Sequence, residues 1–278
     1  MMESRPLTSD SNPRVKLARK LHQRRAREKE GLFLVEGPHL LEAALEAGAP
    51  LREAFCTPAF AEGHAVLAAR LAASPWPVWS VPDALLARLA ATEEPQGVVA
   101  LAELLPDAPE PVATPGLLAL ALEGVSDPGN VGSALRAAHA AGAACVVLGP
   151  GCCDRFNPKA VRASAGALFA APALFTHSLA GLLRRLREAA VRVVLADPRA
   201  AKPCWAADLC GPTALVIGSE AHGASGAVRA EATDRVAIPM PGGAESLNAA
   251  AAASILLYEA LRQRAAASGL TSAPERVK

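Results

Sequence analysis

Three glycine-bearing turns in this chain hold the polar residues that could do chemistry. The first reads Asp127-Pro128-Gly129-Asn130-Val131-Gly132 and is followed by Arg136. It stands after the apolar run 117–122 and opens a helix, which is where open α/β sheets bind ligands. Asp127, Pro128 and Gly129 make the turn, and Asn130 is placed to cap the helix. Arg136 lies one to two turns further on among small and apolar residues, where a guanidinium either closes a structural ion pair or binds an anion. The second turn, Gly218-Ser219-Glu220-Ala221-His222-Gly223, follows the apolar run 213–217. Its glycines let backbone approach a ligand closely, and Glu220 can accept from a hydroxyl or balance a cation, while His222 reads as structural. The third joins Ile238-Pro239-Met240 to Ser246-Leu247-Asn248-Ala249 at the start of an Ala-rich helix. Ser246 fits the helix cap there, which leaves Asn248 as a polar group with no capping duty.

Several chemistries are absent from the pattern. There is no Gly-x-Gly-x-x-Gly loop, so a dinucleotide-dependent oxidoreductase is excluded, and no phosphate-binding loop with its lysine. Ser225 sits in Gly-Ala-Ser-Gly, not in the Gly-x-Ser-x-Gly elbow of hydrolases. The six cysteines, Cys56, Cys145, Cys152, Cys153, Cys204 and Cys210, form no Cys-x-x-Cys pair, so no metal is expected. They are too sparse for a disulfide scaffold and read as reduced thiols of a cytoplasmic protein.

The turns need a scaffold, and strand-like and helix-like runs alternate through the chain. Asn12 followed by Pro13 starts a helix carrying Leu17 and Leu21 on one side and Lys16, Lys20, Arg24 and Arg27 on one continuous face. Strands at 32–35, 51–56, 78–81 and 97–101 then alternate with helices at 38–47, 59–72 and 82–90, a small α/β domain over 12–104. Residues 1–11 read as a disordered tail. Pro106, Pro109, Pro111 and Pro115 bar helix and central strand from 105–116, which is placed as a linker. Beyond it, over 117–265, strands are expected at 117–122, 144–148, 191–196, 213–217 and 234–237, and helices at 131–141, 158–168, 179–189, 224–231 and 247–264. Apolar strands without clean alternation predict a parallel sheet covered on both faces. Residues 266–278 read as a flexible C-terminal tail.

The formal net charge of +1 hides an asymmetry. Residues 1–30 are net +5 and the remainder is net −4, which suggests a polyanionic partner for the basic start. The RNA-contact candidates are Arg14, Lys16, Lys20, Arg24, Arg25 and Arg27, with Lys159 and Arg162 further on. Only ten residues are aromatic, so phosphate and shape, not base stacking, should dominate RNA contact. The longest apolar run near the C-terminus, 249–257, is too short to span a bilayer, and no membrane partner is expected.

Taken together, the order and spacing of the three turns resemble the SpoU (TrmH-like) branch of the SPOUT RNA methyltransferases. Asn157-Pro158-Lys159, Arg162-Ala163-Ser164 and Gly166 also look like that family, and the resemblance spans about 117–264. The N-terminal region, with Arg24-Arg25, Phe33-Leu34-Val35-Glu36-Gly37 and Pro95-Gln96-Gly97-Val98-Val99-Ala100, is similar to the L30e-like substrate-binding domain that many members carry. The resemblance implies an α/β fold whose parallel-sheet domain contains a deep trefoil knot, preceded by the L30e-like domain. It implies S-adenosylmethionine as cofactor, a homodimer, and 2′-O-methylation of a ribose. The preferred substrate is large-subunit ribosomal RNA. Transfer RNA, or a non-catalytic RNA-binding assembly role on the same fold, are the alternatives. By the same resemblance the cofactor would lie among Leu195, Ala196, Asp197, Gly218, Ser219, Glu220, Gly223, Ile238, Pro239, Met240, Ser246, Leu247, Asn248 and Ala249. Arg136, Asn130, Glu220, Ser246 and Asn248 would act on the ribose. A guanidinium stays protonated, so the role expected of Arg136 is a clamp on the neighbouring phosphate that also stabilises developing alkoxide charge.

Overall fold

The computed structural model describes residues 5–269. In chain order the elements begin with β1 (Arg5–Pro6), α1 (Pro13–Lys20), α2 (Arg24–Glu30), β2 (Leu32–Glu36), α3 (Pro38–Glu46), β3 (Leu51–Cys56), α4 (Pro58–Gly63), α5 (Ala65–Ala72), β4 (Val78–Ser80), α6 (Asp83–Leu89) and β5 (Val98–Glu103). They continue with β6 (Leu118–Leu122), α7 (Pro128–Ala140), β7 (Cys145–Leu148), α8 (Pro158–Ala163), α9 (Ala167–Ala170), β8 (Ala173–Phe175), α10 (Leu179–Glu188), β9 (Arg192–Ala196), β10 (Thr213–Ile217), α11 (Gly226–Glu231), β11 (Asp234–Val236) and α12 (Ala249–Ala267). Among the described residues two compact units form, one of 5–106 with 154–170 and one of 107–153 with 171–269.

The first unit is built on a mixed sheet ordered β1-β4-β3-β5-β2. β5 runs antiparallel to both its neighbours, while β4 is parallel to β3 and β1 is parallel to β4. Asn12 caps α1 as expected, its side chain accepting from the Arg14 amide. Three local expectations need correction. Residues 5–11 are not a disordered tail: Arg5 and Pro6 pair with Trp79 and Ser80, and Leu7 is buried in the core. Residues 1–4 lie outside the described set. The helix after Asn12 does not run on with one basic face, because it stops at Leu21 and restarts at Arg24 after an extended Gln23. Arg27 fills the break, donating to the Leu21 and His22 carbonyls at 2.8 and 3.0 Å. The helix expected over 59–72 is likewise two helices, broken at His64.

The segment 154–170, assigned from the sequence to the second domain, groups with the first unit. Asp154 receives two bonds from buried Arg27, at 2.7 and 3.0 Å. Phe156 and Phe169 lie against Phe33, with ring centroids 4.9 and 6.2 Å apart. The helix expected over 158–168 divides here, at Ala165 and Gly166, both with positive φ. A Cβ on Gly166 would sit 2.7 Å from that of Ala43, so the break brings the chain close against α3.

The second unit carries an all-parallel sheet ordered β11-β9-β10-β6-β7-β8. Every residue of β6, β7 and β10 is buried, as unbroken apolar runs require when helices cover both faces. Leu179, Leu182, Leu183 and Leu186 of α10 and Val228 of α11 pack on Ala119, Ala121, Val193 and Val216. α7 and α12 pack together over the opposite face. The short strand β8 was not foreseen. The proline-rich segment forms neither helix nor strand, yet the Ala108 amide bonds the Ala173 carbonyl at 2.9 Å. α12 extends through Ala267, past the start placed for the C-terminal tail, and residues 270–278 lie outside the described set.

Candidate active site

The loops that follow β9, β10 and β11 meet at the C-terminal ends of the parallel strands, where they bound a pocket that is partly open to solvent. Ile217, Val236, Ile238 and Leu247 give it apolar walls, and Ser219, Glu220 and Ser246 supply polar groups. Such a mixture suits a flat aromatic ring with a polar chain attached.

The Gly218–Gly223 loop is tightly closed. Ser219 and Gly223 exchange backbone bonds of 2.8 and 3.1 Å, and the Ser219 hydroxyl accepts from the His222 amide. A Cβ on Gly218 would fall 2.2 Å from the Ala224 nitrogen, so only glycine lets this loop close. Two further contacts fix it. Asn130 donates its side-chain N–H to Glu220 at 2.6 Å, joining the first turn to the second. Glu123, to which no role was given from the sequence, accepts from both the amide and the hydroxyl of Ser225, at 2.7 and 2.9 Å. Ser225 in turn caps α11.

Asp197 lines the pocket but is already engaged. Its side chain accepts from the Arg199 amide at 3.0 Å and from the Arg229 guanidinium at 2.7 Å. Burial pushes this carboxyl's pKa up, but the Arg199 amide and the Arg229 charge outweigh burial and hold it below the usual range. Arg229 also donates to the Ala224 carbonyl, so one side chain ties the first loop to the second.

Of the residues expected around a cofactor, Ala196, Asp197, Gly218, Ser219, Glu220, Gly223, Ile238, Met240, Ser246, Leu247 and Ala249 line the pocket. Leu195 is buried in the core behind it, and Pro239 is exposed. Two capping assignments reverse. Asp127, not Asn130, caps α7, which frees Asn130 for Glu220. Asn248, not Ser246, caps α12, accepting from the Ala251 amide at 2.7 Å. Arg136 is exposed on α7 and has no ion-pair or hydrogen-bond partner among the described residues, so the structural ion pair considered for it does not form. Pro198 and Ala252 also line the pocket; their only signal in the sequence is adjacency to the three turns.

The basic candidates of the first unit divide. Lys16, Lys20 and Arg25 are exposed. Arg14 pairs with Glu53 at 2.8 Å over the Trp79 ring, Arg24 with Glu28 at 2.7 Å, and Arg162 with Glu36 at 3.4 Å. Lys159 is exposed at the start of α8. Arg27 departs furthest from expectation, being 2 % exposed and held by Asp154, so it has no surface to offer RNA.

Residues 117–258 match the model of the SpoU rRNA methylase family. This chain belongs to that family. Residues 12–100 match the MRM3-like substrate-binding domain. An uncharacterized tRNA/rRNA methyltransferase of Synechocystis is 39% identical over 94% of this chain and 95% of its own length. The 23S rRNA (guanosine(2553)-2′-O)-methyltransferase of Bacillus subtilis is 31% identical over 91% and 97%. The solved SpoU methyltransferase AviRb from Streptomyces viridochromogenes, in complex with AdoMet, superimposes with TM-score 0.82 at 33% identity, covering 91% of this chain and 98% of that one. The chain is thus an RNA 2′-O-ribose methyltransferase of the SpoU family, dependent on S-adenosylmethionine. The glycine-cradled pocket fits that cofactor: the apolar walls suit its adenine, and Ser219 and Ser246 can meet its polar chain.

Glu123 now acquires a testable role as the residue that sets the second SpoU loop. Glu123→Gln keeps the size but turns an N–H₂ toward donors. It is expected to weaken S-adenosylmethionine binding about tenfold, the scale of one lost charged hydrogen bond. Ser225→Ala should weaken binding less, because it removes the hydroxyl bond and the α11 cap but leaves the amide bond to Glu123 in place. Calorimetry checks this; an unchanged Kd in Glu123→Gln would mean the loop holds its shape without the clamp.

Proposed function

We propose that this methyltransferase modifies a ribose of 23S ribosomal RNA, as a cytoplasmic homodimer. The observation that carries the site assignment is the Asn130–Glu220 bond, which joins the helix bearing unpaired Arg136 to a loop lining the pocket. S-adenosylmethionine, when bound, supplies an already activated methyl group, so the protein's task is to ready the 2′-hydroxyl. Arg136 stays protonated and therefore binds anionic oxygen: the phosphate beside the target ribose, and the 2′-oxygen as it gains charge. Glu220 fixes the Asn130 amide so that its remaining polar atoms can orient the ribose. Ser246 offers at the pocket wall a hydroxyl with no hydrogen-bond partner among the described residues, while Asn248 acts through the start of α12. The first unit would dock RNA through Lys16, Lys20, Arg25 and Lys159. Ribosomal RNA is favoured because the first unit matches a substrate-binding domain and the named full-length relative acts on 23S rRNA.

The test is transfer of labelled methyl to deproteinised 23S rRNA, 16S rRNA and transfer RNA. Label on one ribose of 23S rRNA alone is the expected result. Label on transfer RNA would move the substrate class, and cofactor binding without transfer to any RNA would point to an assembly role.

A dimer is supported by an exposed apolar face on α12: Ile255, Tyr258 and Leu261 are 39, 72 and 39 % exposed at three-residue spacing. Among the described residues no helix is long and apolar enough to cross a membrane, so this face is not a membrane span. Light scattering at micromolar concentration should give twice the chain mass, and Tyr258→Glu should lower it. A monomeric wild type would remove the dimer from the proposal.

A further inference from the structure

A second concavity shares Asp197 with the cofactor pocket and differs from it in character. It is a polar groove of about 700 Å³, open to solvent. The loop Arg199–Lys202 forms one wall, and the end of α11 with Asp234 and Arg235 forms the other. Four cations and two carboxylates line it. Arg229 is spent on Asp197, and Lys202 on Asp234. Arg199 and Arg235 are exposed and their guanidinium groups make no salt bridge or hydrogen bond among the described residues, although the Arg235 charge acts on Asp197. After its internal pairs are closed, the groove therefore keeps two guanidinium groups outside any ion pair.

The start of the chain is the more strongly charged segment, with nine of the 28 Lys and Arg residues in its first 30 positions. There Arg14, Arg19, Arg24 and Arg27 are held by carboxylates of the same unit, while Lys16, Lys20 and Arg25 stay exposed. The sequence drew attention to the segment with the highest local charge, but the net charge of a segment does not say which cations remain unpaired. In the second unit the unpaired guanidinium groups stand one residue layer from the pocket that receives the methyl donor, since Asp197 borders both spaces.

We propose that this groove holds the ribose-phosphate backbone of the substrate RNA, with Arg199 and Arg235 each contacting a phosphate. The proposal rests on the RNA methyltransferase reading and adds a docking surface to it. A backbone fits better than a small anion. The groove is open and broad, not a closed cage, and guanidinium forks match phosphate oxygens in pairs. Contact beside the pocket would also fix the register of the strand being methylated, which phosphate contacts do without reading sequence.

The experiment measures the affinity of the full chain for deproteinised 23S rRNA as a function of potassium chloride. Each phosphate contact contributes about 0.7–0.9 to the slope of log K against log salt. Arg199→Gln/Arg235→Gln should therefore flatten the slope by roughly 1.4–1.8. Arg199→Lys/Arg235→Lys should keep it, because the counterions are still released. S-adenosylmethionine affinity, measured in parallel, reports whether the second unit is intact, and the Lys pair serves as a folded comparison. An unchanged slope in the Gln pair overturns the groove. A slope that falls equally in the Lys and Gln pairs also overturns it, because the loss then follows the structure and not the charge. Millimolar binding of inorganic phosphate that the Gln pair abolishes, with the RNA slope unchanged in that pair, would likewise assign the groove to a small anion and overturn the RNA contact. If the wild type transferred methyl to no RNA yet the Gln pair still flattened the slope, the catalytic reading would fail and the docking surface would stand.

Discussion

Arg136→Ala is expected to lower methyl transfer roughly a hundredfold or more, about the effect of removing an oxyanion donor, while S-adenosylmethionine binds as in the wild type. The reasoning is positional. Arg136 lies on α7, it does not line the pocket, and it makes no ion pair or hydrogen bond within the described structure. Its removal therefore leaves no buried group unsatisfied, and stability should change by no more than about 0.5 kcal/mol, as for an ordinary surface substitution. A large kinetic effect without a stability effect is what a substrate-facing charge produces. Arg136→Lys should rescue poorly, because an ammonium cannot reproduce the planar fork that engages two oxygens at once. Single-turnover transfer at saturating cofactor, with cofactor affinity and melting temperature measured alongside, separates the cases. Near-normal turnover in the Lys variant would leave only a general electrostatic role. Near-normal turnover in the Ala variant would remove Arg136 from the mechanism.

The opposite pattern is expected at Arg27. Its side chain is 2 % exposed and makes four hydrogen bonds, two to Asp154 and one each to the Leu21 and His22 carbonyls. Arg27→Ala removes the cationic partner of Asp154, whose Oδ1 still accepts from the Phe156 amide, and the donor to two carbonyls at the break between α1 and α2. Removing one partner of a buried pair costs about 3–5 kcal/mol. The urea midpoint of the first unit should fall accordingly, and Asp154→Ala should fall by a similar amount because it leaves the guanidinium unpaired. A loss below about 1 kcal/mol in both variants would show that the junction tolerates water and that the pair is not structural. Deleting residues 1–104, a simple way to ask whether the N-terminal region binds RNA, would also uncover Phe156 and Phe169, which pack on Phe33. Substituting Lys16, Lys20 and Arg25 by Gln asks the same question without exposing that apolar surface.

What was legible in the sequence follows the range of the forces involved. Strands Leu51–Cys56 and Thr213–Ile217 form as read, because an apolar run with turn residues at its ends declares itself within a few positions. Asn12 caps its helix for the same reason, with Pro13 fixing the first turn. The three turns could be read as one site, since parallel strands must place their following loops at one end of the sheet. Where two polar residues stood near one helix start, the reading failed. Asp127 and Asn248 took the caps expected of Asn130 and Ser246, and a shift of two or three residues decides which side chain is left for ligand.

The sequence by itself determined the two α/β units, the apolar strands and the residue types at the pocket. Only the tertiary structure decided the partners. Arg27 meets Asp154 across 127 residues, and Asn130 meets Glu220 across 90. No local preference encodes either pairing, because a charge can be satisfied by any opposite group that the fold brings within reach. The same holds for 154–170, whose sequence suits a helix in either unit but whose aromatic rings find their packing partner in Phe33. Local spacing specifies which groups are available, and the topology of the sheets specifies which of them meet and which remain free for RNA.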